Sequence, residues 1–343
     1  MRSCYSIGLK IPPRPSGSRR RRLAALATTQ LFVFFSFGEL MIRVTDVDMA
    51  LLRPLLYYQA ADLPFHRPSD DPKLLYELRP NFAMTLQGRK ISINSLGFRD
   101  KERSVKKPRG VFRIVCLGSS NTYGAAVNDD ETYPAYLEAV LNKRAPGRYE
   151  VWNAGISAYV LAQSTAWAEE IARKYEPDLI IFQYYNVGRK PFLLGYPYSR
   201  YFDADPSLYL ENLRYLPFSS RELDLALLRR WRLFRAGIIL LNRWDAVASN
   251  NPFYNNQRLD FSEFENFYLT HERTTHLVDF SIDPDPIHAD PFQSLGLKTV
   301  FLRDHVPPGA PPEYLKVHPP AYVYRRYAEI LISALRKEGL LPR

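Results

Sequence analysis

The segment Arg113-Ile114-Val115-Cys116-Leu117-Gly118-Ser119-Ser120-Asn121-Thr122-Tyr123-Gly124 (RIVCLGSSNTYG) runs from an unbroken apolar stretch into a turn of small residues. Residues 113–117 predict a short buried strand, and Gly118 marks its end. Two adjacent serines, Ser119 and Ser120, then sit where the chain leaves the sheet. Such a turn has three readings: a phosphate cradle, a nucleophile exposed at the carboxyl edge of a sheet, or an ordinary connection. The phosphate reading fails on the residues. A P-loop places Lys-Ser/Thr directly after its second glycine, whereas Ala125-Ala126 follow Gly124, and no G-x-G-x-x-G fingerprint is present. The G-x-S-x-G elbow is also absent, because Thr122 stands where its second glycine is required.

Working outward, the flanking sequence has an α/β rhythm. Residues 130–143 (DETYPAYLEAVLNK) space Tyr133, Leu137, Val140 and Leu141 at helical intervals after an acidic start. Residues 149–153 predict a strand, 158–174 a helix, and 178–184 (DLIIFQY) a strand apolar enough to be buried on both faces. This β-α-β-α-β order predicts an α/β fold, a three-layer sandwich around a doubly wound parallel sheet. Residues 275–280 and 298–302 predict two further strands, and 321–337 a closing helix entered through Pro319 and Pro320. Residues 189–270 interrupt the rhythm and read as an insertion or cap, with a helical stretch over 220–241. Residues 45–110 read as a connecting extension, Pro-rich at 63–72 and with short strand-like pieces at 82–87 and 89–94.

The net charge of +10 invites a nucleic-acid partner until its location is considered. Seven cations and no acids lie in residues 1–22, so the rest of the chain carries only +3 and is not a polycation. Behind Arg19–Arg22, residues 23–42 (LAALATTQLFVFFSFGELMI) stay uncharged as far as Gly38. That length and the basic flank predict an uncleaved signal-anchor over 23–44, with 1–22 as a cytoplasmic tail. The expectation is a single-pass inner-membrane protein whose domain, 111–343, lies on the periplasmic side. Cys4 and Cys116 are too differently placed, tail and strand, to predict a disulfide.

The serine turn resembles the first sequence block of the SGNH/GDSL hydrolases, Gly-Asp-Ser-x-Thr, with Ser119 in place of the aspartate and Ser120 as nucleophile. Three later stretches resemble the remaining blocks in order. Residues 152–159 (WNAGISAY) resemble the second, with Gly155 as a backbone oxyanion donor. Residues 177–186 (PDLIIFQYYN) resemble the third, with Asn186 as side-chain donor, although Tyr184 and Val187 replace the family's glycine and aspartate. Residues 317–322 (VHPPAY) resemble the last, Asp-x-x-His, with His318 as general base and Leu315 at the aspartate position. The lead-in Asn94–Asp100 (NSLGFRD) is similar to that of membrane-anchored bacterial members.

The resemblance implies a serine esterase or acyl hydrolase, or an O-acyltransferase, forming an acyl-Ser120 intermediate on cell-envelope saccharide or lipid esters. Ser120 N–H, Gly155 N–H and the Asn186 amide would hold the oxyanion. Glu313 and Asp304 are the candidate acids for His318, and a Ser–His dyad is the other option. A catalytically silent scaffold or glycan-binding protein on the same fold is the alternative. No cofactor is expected. A metal site is not expected either: His271 and His276 are five residues apart, about 140° around a helix rather than on one face.

Overall fold

The apolar run after Gly110 forms strand β5 (Phe112–Gly118), the second strand of a parallel sheet. Before it come two small antiparallel hairpins, β1 (His66–Pro68) with β2 (Tyr76–Leu78) and β3 (Phe82–Leu86) with β4 (Arg89–Ile93). β5 pairs with β6 (Tyr149–Gly155) on one side and β7 (Leu179–Gln183) on the other. β8 (His276–Ser281) and β9 (Lys298–Phe301) extend the sheet to the order β6-β5-β7-β8-β9. The computed structural model describes residues 17–48, 64–183, 217, 220–246, 261–281 and 290–342, apart from 72, 75 and 317.

Because successive side chains on a strand point to opposite faces, each apolar strand feeds two cores. Ile114, Cys116, Leu179, Ile181, Val278 and Phe280 face one layer, covered by α3 (Tyr133–Arg144) and α9 (Ala321–Lys337). Val115, Leu117, Ile180, Phe182 and Leu277 face the other, covered by α4 (Leu161–Tyr175) and α7 (Ser262–His271). The three-layer α/β sandwich expected from the sequence is therefore present. A short helix, α8 (Asp290–Ser294), leads into β9.

Three boundaries differ from the sequence expectation. The extension before the sheet is not merely a connection: Phe65, Tyr76, Ile91, Ile93 and Phe98 join the same apolar cluster as Val115 and Leu117. The stretch at 189–270 ends in a helix of the sandwich itself, since Phe264 and Phe267 of α7 pack edge-on to Phe182 at 5.1 and 5.9 Å. The single helix expected over 220–241 is two, α5 (Arg221–Arg230) and α6 (Arg232–Ala246). Trp231 between them has extended backbone (φ −113°, ψ 103°), which breaks the helical hydrogen-bond ladder.

At the N-terminus, α1 (Gly17–Thr45) contains a 28-residue stretch, Ser18–Thr45, long and apolar enough to cross a membrane. Its length of about 42 Å exceeds the roughly 30 Å hydrocarbon core. Phe32, Phe34 and Phe37 on it are exposed by 72, 69 and 62%, so the described residues leave this part of the helix uncovered.

Candidate active site

Open α/β sheets place their sites outside the carboxyl ends of the strands. Here three such ends are level: Gly118 pairs with Gly155 of β6 and with Gln183 of β7. Immediately after Gly118 the chain turns into α2, a single turn spanning Ser120–Tyr123. So short a helix sums few peptide dipoles, and the charge stabilisation that a full helix would lend the serine is not available from it.

Glycine is required at both level positions for steric reasons. A Cβ on Gly155 would overlap the Tyr123 amide nitrogen and lie 2.6 Å from the Thr122 carbonyl carbon. A Cβ on Gly118 would overlap Thr122 Oγ1 and lie 2.6 Å from the Gln183 carbonyl oxygen. The serine turn is thus pressed against the ends of β6 and β7. Thr122, fully buried, adds a hydrogen bond from its Oγ1 to Gln183 Oε1 at 3.2 Å.

His318 reaches this turn from the far end of the chain. It follows a 3₁₀ turn at Pro312–Leu315 and precedes Pro319-Pro320 and α9. Tyr327 Oη donates to the Tyr314 carbonyl (3.0 Å) and Tyr324 Oη to Asn121 Oδ1 (3.4 Å), so α9 ties both the His318 segment and the serine turn. His318 Nε2 lies 2.8 Å from Ser120 Oγ, across 198 residues of sequence. Partial shielding from water, and secondly the Arg89 guanidinium, hold the His318 pKa below the ordinary histidine value.

The expected acid does not accompany this pair. Glu313 bonds to Lys316 (3.3 Å), which lowers its pKa together with the bond to its own backbone, and Asp304 sits against Arg303 (3.6 Å). Among the described residues no carboxylate is bonded to His318. Ser119, where the resemblance calls for an aspartate, is buried at the root of α2. Asn186, the side-chain oxyanion donor expected from the sequence, lies outside the described residues.

The Gly155 N–H donates to Asn153 Oδ1 (3.1 Å), and the glycine lets β6 approach α2 closely. Three residues on, Ala158 adopts a left-handed conformation (φ 67°) in the buried turn that leaves β6. Among the described residues the N–H groups of Ser120 and Ala158 have no hydrogen-bond partner. Tyr76 Oη donates to the Ser157 carbonyl (3.0 Å), which pins this turn from the first hairpin. An alanine gives no sequence cue for positive φ, and that position was invisible beforehand.

The lead-in motif NSLGFRD finds its purpose behind the serine. Asn94 Oδ1 accepts from Leu96 N (3.0 Å) and Phe98 N (2.9 Å), folding the tight turn that sends Phe98 between Trp152 and Trp167. Arg99, 1% exposed, then donates to four backbone carbonyls: Tyr123 (2.9 Å), Gly124 (2.6 Å), Val127 (2.8 Å) and Lys90 (3.1 Å). Its Nε pairs with Asp129 at 3.0 Å. The guanidinium therefore closes the end of the one-turn helix that begins at Ser120. Arg99→Ala removes the bonds to four backbone carbonyls and leaves Asp129 with only the Ser92 N–H on the carboxylate oxygen that the guanidinium held. A loss of about 3–5 kcal/mol in unfolding free energy is expected by denaturant titration. Arg99→Lys should recover only a small part, because an ammonium cannot span four carbonyls in a planar fork.

The metal reading finds no support in placement: His271 closes α7 against Glu169 (3.0 Å), whereas His276 opens β8.

No described protein family and no curated protein matches the sequence. Among solved structures, the chain is similar to TesA, at 13% identity and a TM-score of 0.37, over 67% of this chain and 99% of that one. It is similar to the psychrotrophic esterase EstA from Pseudoalteromonas sp., at 9% identity and a TM-score of 0.37, over 66% of this chain and 97% of that one. A member of the lipolytic protein G-D-S-L family from Veillonella parvula is 11% identical, with a TM-score of 0.33, over 66% of this chain and 100% of that one.

Proposed function

We propose that the chain is a membrane-anchored serine esterase whose nucleophile is Ser120 and whose general base is His318. The observation that carries this reading is the 2.8 Å contact between Ser120 Oγ and His318 Nε2 at the carboxyl edge of the sheet. Ser120 Oγ attacks the ester carbonyl carbon while Nε2 takes its proton. The oxyanion so formed is held by the Ser120 N–H, with the N–H of Ala158 assigned as a second donor because neither has a hydrogen-bond partner among the described residues. Collapse breaks the bond to the alcohol oxygen, which leaves with the proton from Nε2. Water then attacks the acyl-serine, gives its proton to Nε2, and releases the carboxylic acid as the proton returns to Ser120 Oγ. A sugar hydroxyl in place of that water makes the same site an O-acyltransferase.

The substrate class is an acyl ester of an envelope saccharide or lipid, on the periplasmic side of the inner membrane. α1 is the anchor, with Arg19–Arg22 on the cytoplasmic side. That no carboxylate among the described residues is bonded to His318 favours one second reading, a silent binding protein on the same fold. A pH series separates the two. Purified full-length protein in detergent should hydrolyse an aryl acetate, and kcat/KM should rise with pH to a plateau. The active form is the neutral imidazole, and its pKa is lowered, so the midpoint of the rise should fall below 6.5. Arg89→Gln should move that midpoint upward. Hydrolysis that tracks hydroxide with no plateau would indicate the silent reading.

A further inference from the structure

Helix α6 is bolted to the last turns of α1. The Glu39 carboxylate accepts from the N–H groups of Arg232 (3.1 Å) and Leu233 (2.7 Å), capping α6 from a different helix. Arg43 pairs with Glu39 (2.7 Å) and donates to the Arg230 carbonyl (2.6 Å). Arg232 pairs with Asp46, and Arg235 pairs with Asp48 at 2.7 Å with both side chains fully buried. These contacts form a polar belt at the domain end of α1. Ala236, Ile238 and Ile239 then carry α6 into the protein interior.

On the other side of the belt, towards the middle of the apolar helix, the two helices part. Phe32, Phe35 and Ser36 of α1 face Trp231, Leu233 and Phe234 across a crevice of about 660 Å³. Phe32 is seven residues, about 10 Å of helix rise, from Glu39. The crevice therefore lies alongside the apolar span, at a depth that a crossing helix places in hydrocarbon. Among the described residues its only charged wall group is Glu39, which is already engaged by two N–H groups and Arg43. Water there would forfeit hydrogen bonds, whereas hydrocarbon would not. The opening is continuous with the uncovered surface of α1, where Leu31, Phe34 and Phe37 are all more than half exposed.

We infer that the crevice between α1 and α6 holds an acyl chain of a membrane phospholipid from the leaflet next to the domain. Trp231, 61% exposed at the junction of α5 and α6, then sits in that leaflet, where tryptophan is favoured at the boundary of polar and apolar layers. The domain is held at a fixed attitude to the bilayer by the belt and the lipid together, rather than swinging on a tether. This inference rests on α1 spanning the membrane, and its test must separate the two.

The full-length chain is reconstituted in phosphatidylethanolamine/phosphatidylglycerol vesicles whose phospholipids carry bromine on one acyl chain, a contact quencher of tryptophan fluorescence. Three proteins are compared: wild type, Trp231→Phe, and Trp231→Phe with Phe34→Trp, which puts a reporter on the open face of α1. Trp152 and Trp167 are buried in the protein and Trp244 is common to all three, so the difference between variants isolates the reporter. The expected result is a quenched component present in wild type, lost in Trp231→Phe, and regained with Phe34→Trp. Equal quenching of wild type and Trp231→Phe, with Phe34→Trp still quenched, overturns the lipid crevice while leaving the anchor intact. No quenching of Phe34→Trp overturns the anchor, and the crevice with it. Loss of Trp231 quenching as protein is concentrated in the bilayer would show a second copy in the crevice, and would also overturn the inference.

Discussion

Replacing Ser120 by alanine is expected to lower kcat on an aryl acetate by about 10²-fold or more, with KM little changed. The magnitude comes from two losses known for complete triads. Removing the nucleophile from a Ser-His-Asp site costs about 10⁶-fold, and removing its carboxylate about 10⁴-fold. A site in which no carboxylate supports the histidine keeps the quotient, about 10²-fold or roughly 2.7 kcal/mol of barrier, and among the described residues none is bonded to His318. Ser120 is half-buried and its hydroxyl has His318 as its partner, so alanine opens no core cavity. The unfolding free energy should therefore stay within about 0.5 kcal/mol of wild type. A fall in activity with unchanged stability is the signature of chemistry. A silent scaffold would give indistinguishable rates for wild type and Ser120→Ala.

His318→Gln should cost nearly as much. Glutamine can offer a hydrogen bond to Ser120 Oγ but cannot carry the proton through the cycle. Nucleophile and base act as a unit, so their removal is not additive. The double variant should be no slower than the slower single one, and the rise of kcat/KM with pH should vanish from His318→Gln. Multiplication of the two losses would mean that the 2.8 Å contact does not transmit a proton. Steady-state kinetics on the four proteins, at a pH on the plateau, decides between these outcomes.

The parts of the site that were legible in the sequence are those written in local pattern. Continuous apolar strands at 113–117 and 178–184, helical spacing between them, and a small-residue turn announced the sheet and its carboxyl edge. The order of four short blocks brought Ser120 and His318 together although the chain between them is long. What remained hidden depends on contacts that leave no periodic trace. Asn153 takes the Gly155 N–H through a side-chain bond two residues away, and the glycine packs against the serine turn. Ala158 takes a positive φ that an alanine does not advertise. Arg99 looks like one more surface cation in NSLGFRD, yet it is buried under the serine turn by carbonyls 24 to 28 residues away. Residues 262–271 read as part of the insertion because the preceding stretch has no clear period, but their phenylalanines cover Phe182.

The surroundings of His318 have a consistent electrostatic character. A complete triad raises the basicity of its histidine with a carboxylate; here partial burial and Arg89 lower it. A weaker base is in its working, neutral form at lower pH but draws less strongly on the serine proton. Rigid placement offsets part of the deficit, since α9, Arg99 and the close contacts at Gly118 and Gly155 all hold the serine turn from different sides.

On the proposed mechanism Ser120 forms a covalent acyl-enzyme with His318 as its base. Intact-mass analysis of the folded full-length protein after exposure to a fluorophosphonate tests it most directly. One adduct on wild type, located at Ser120 by peptide mapping, none on Ser120→Ala, and markedly slower labelling of His318→Gln is the predicted result. No adduct on folded wild type, or an equal adduct on Ser120→Ala, would contradict it.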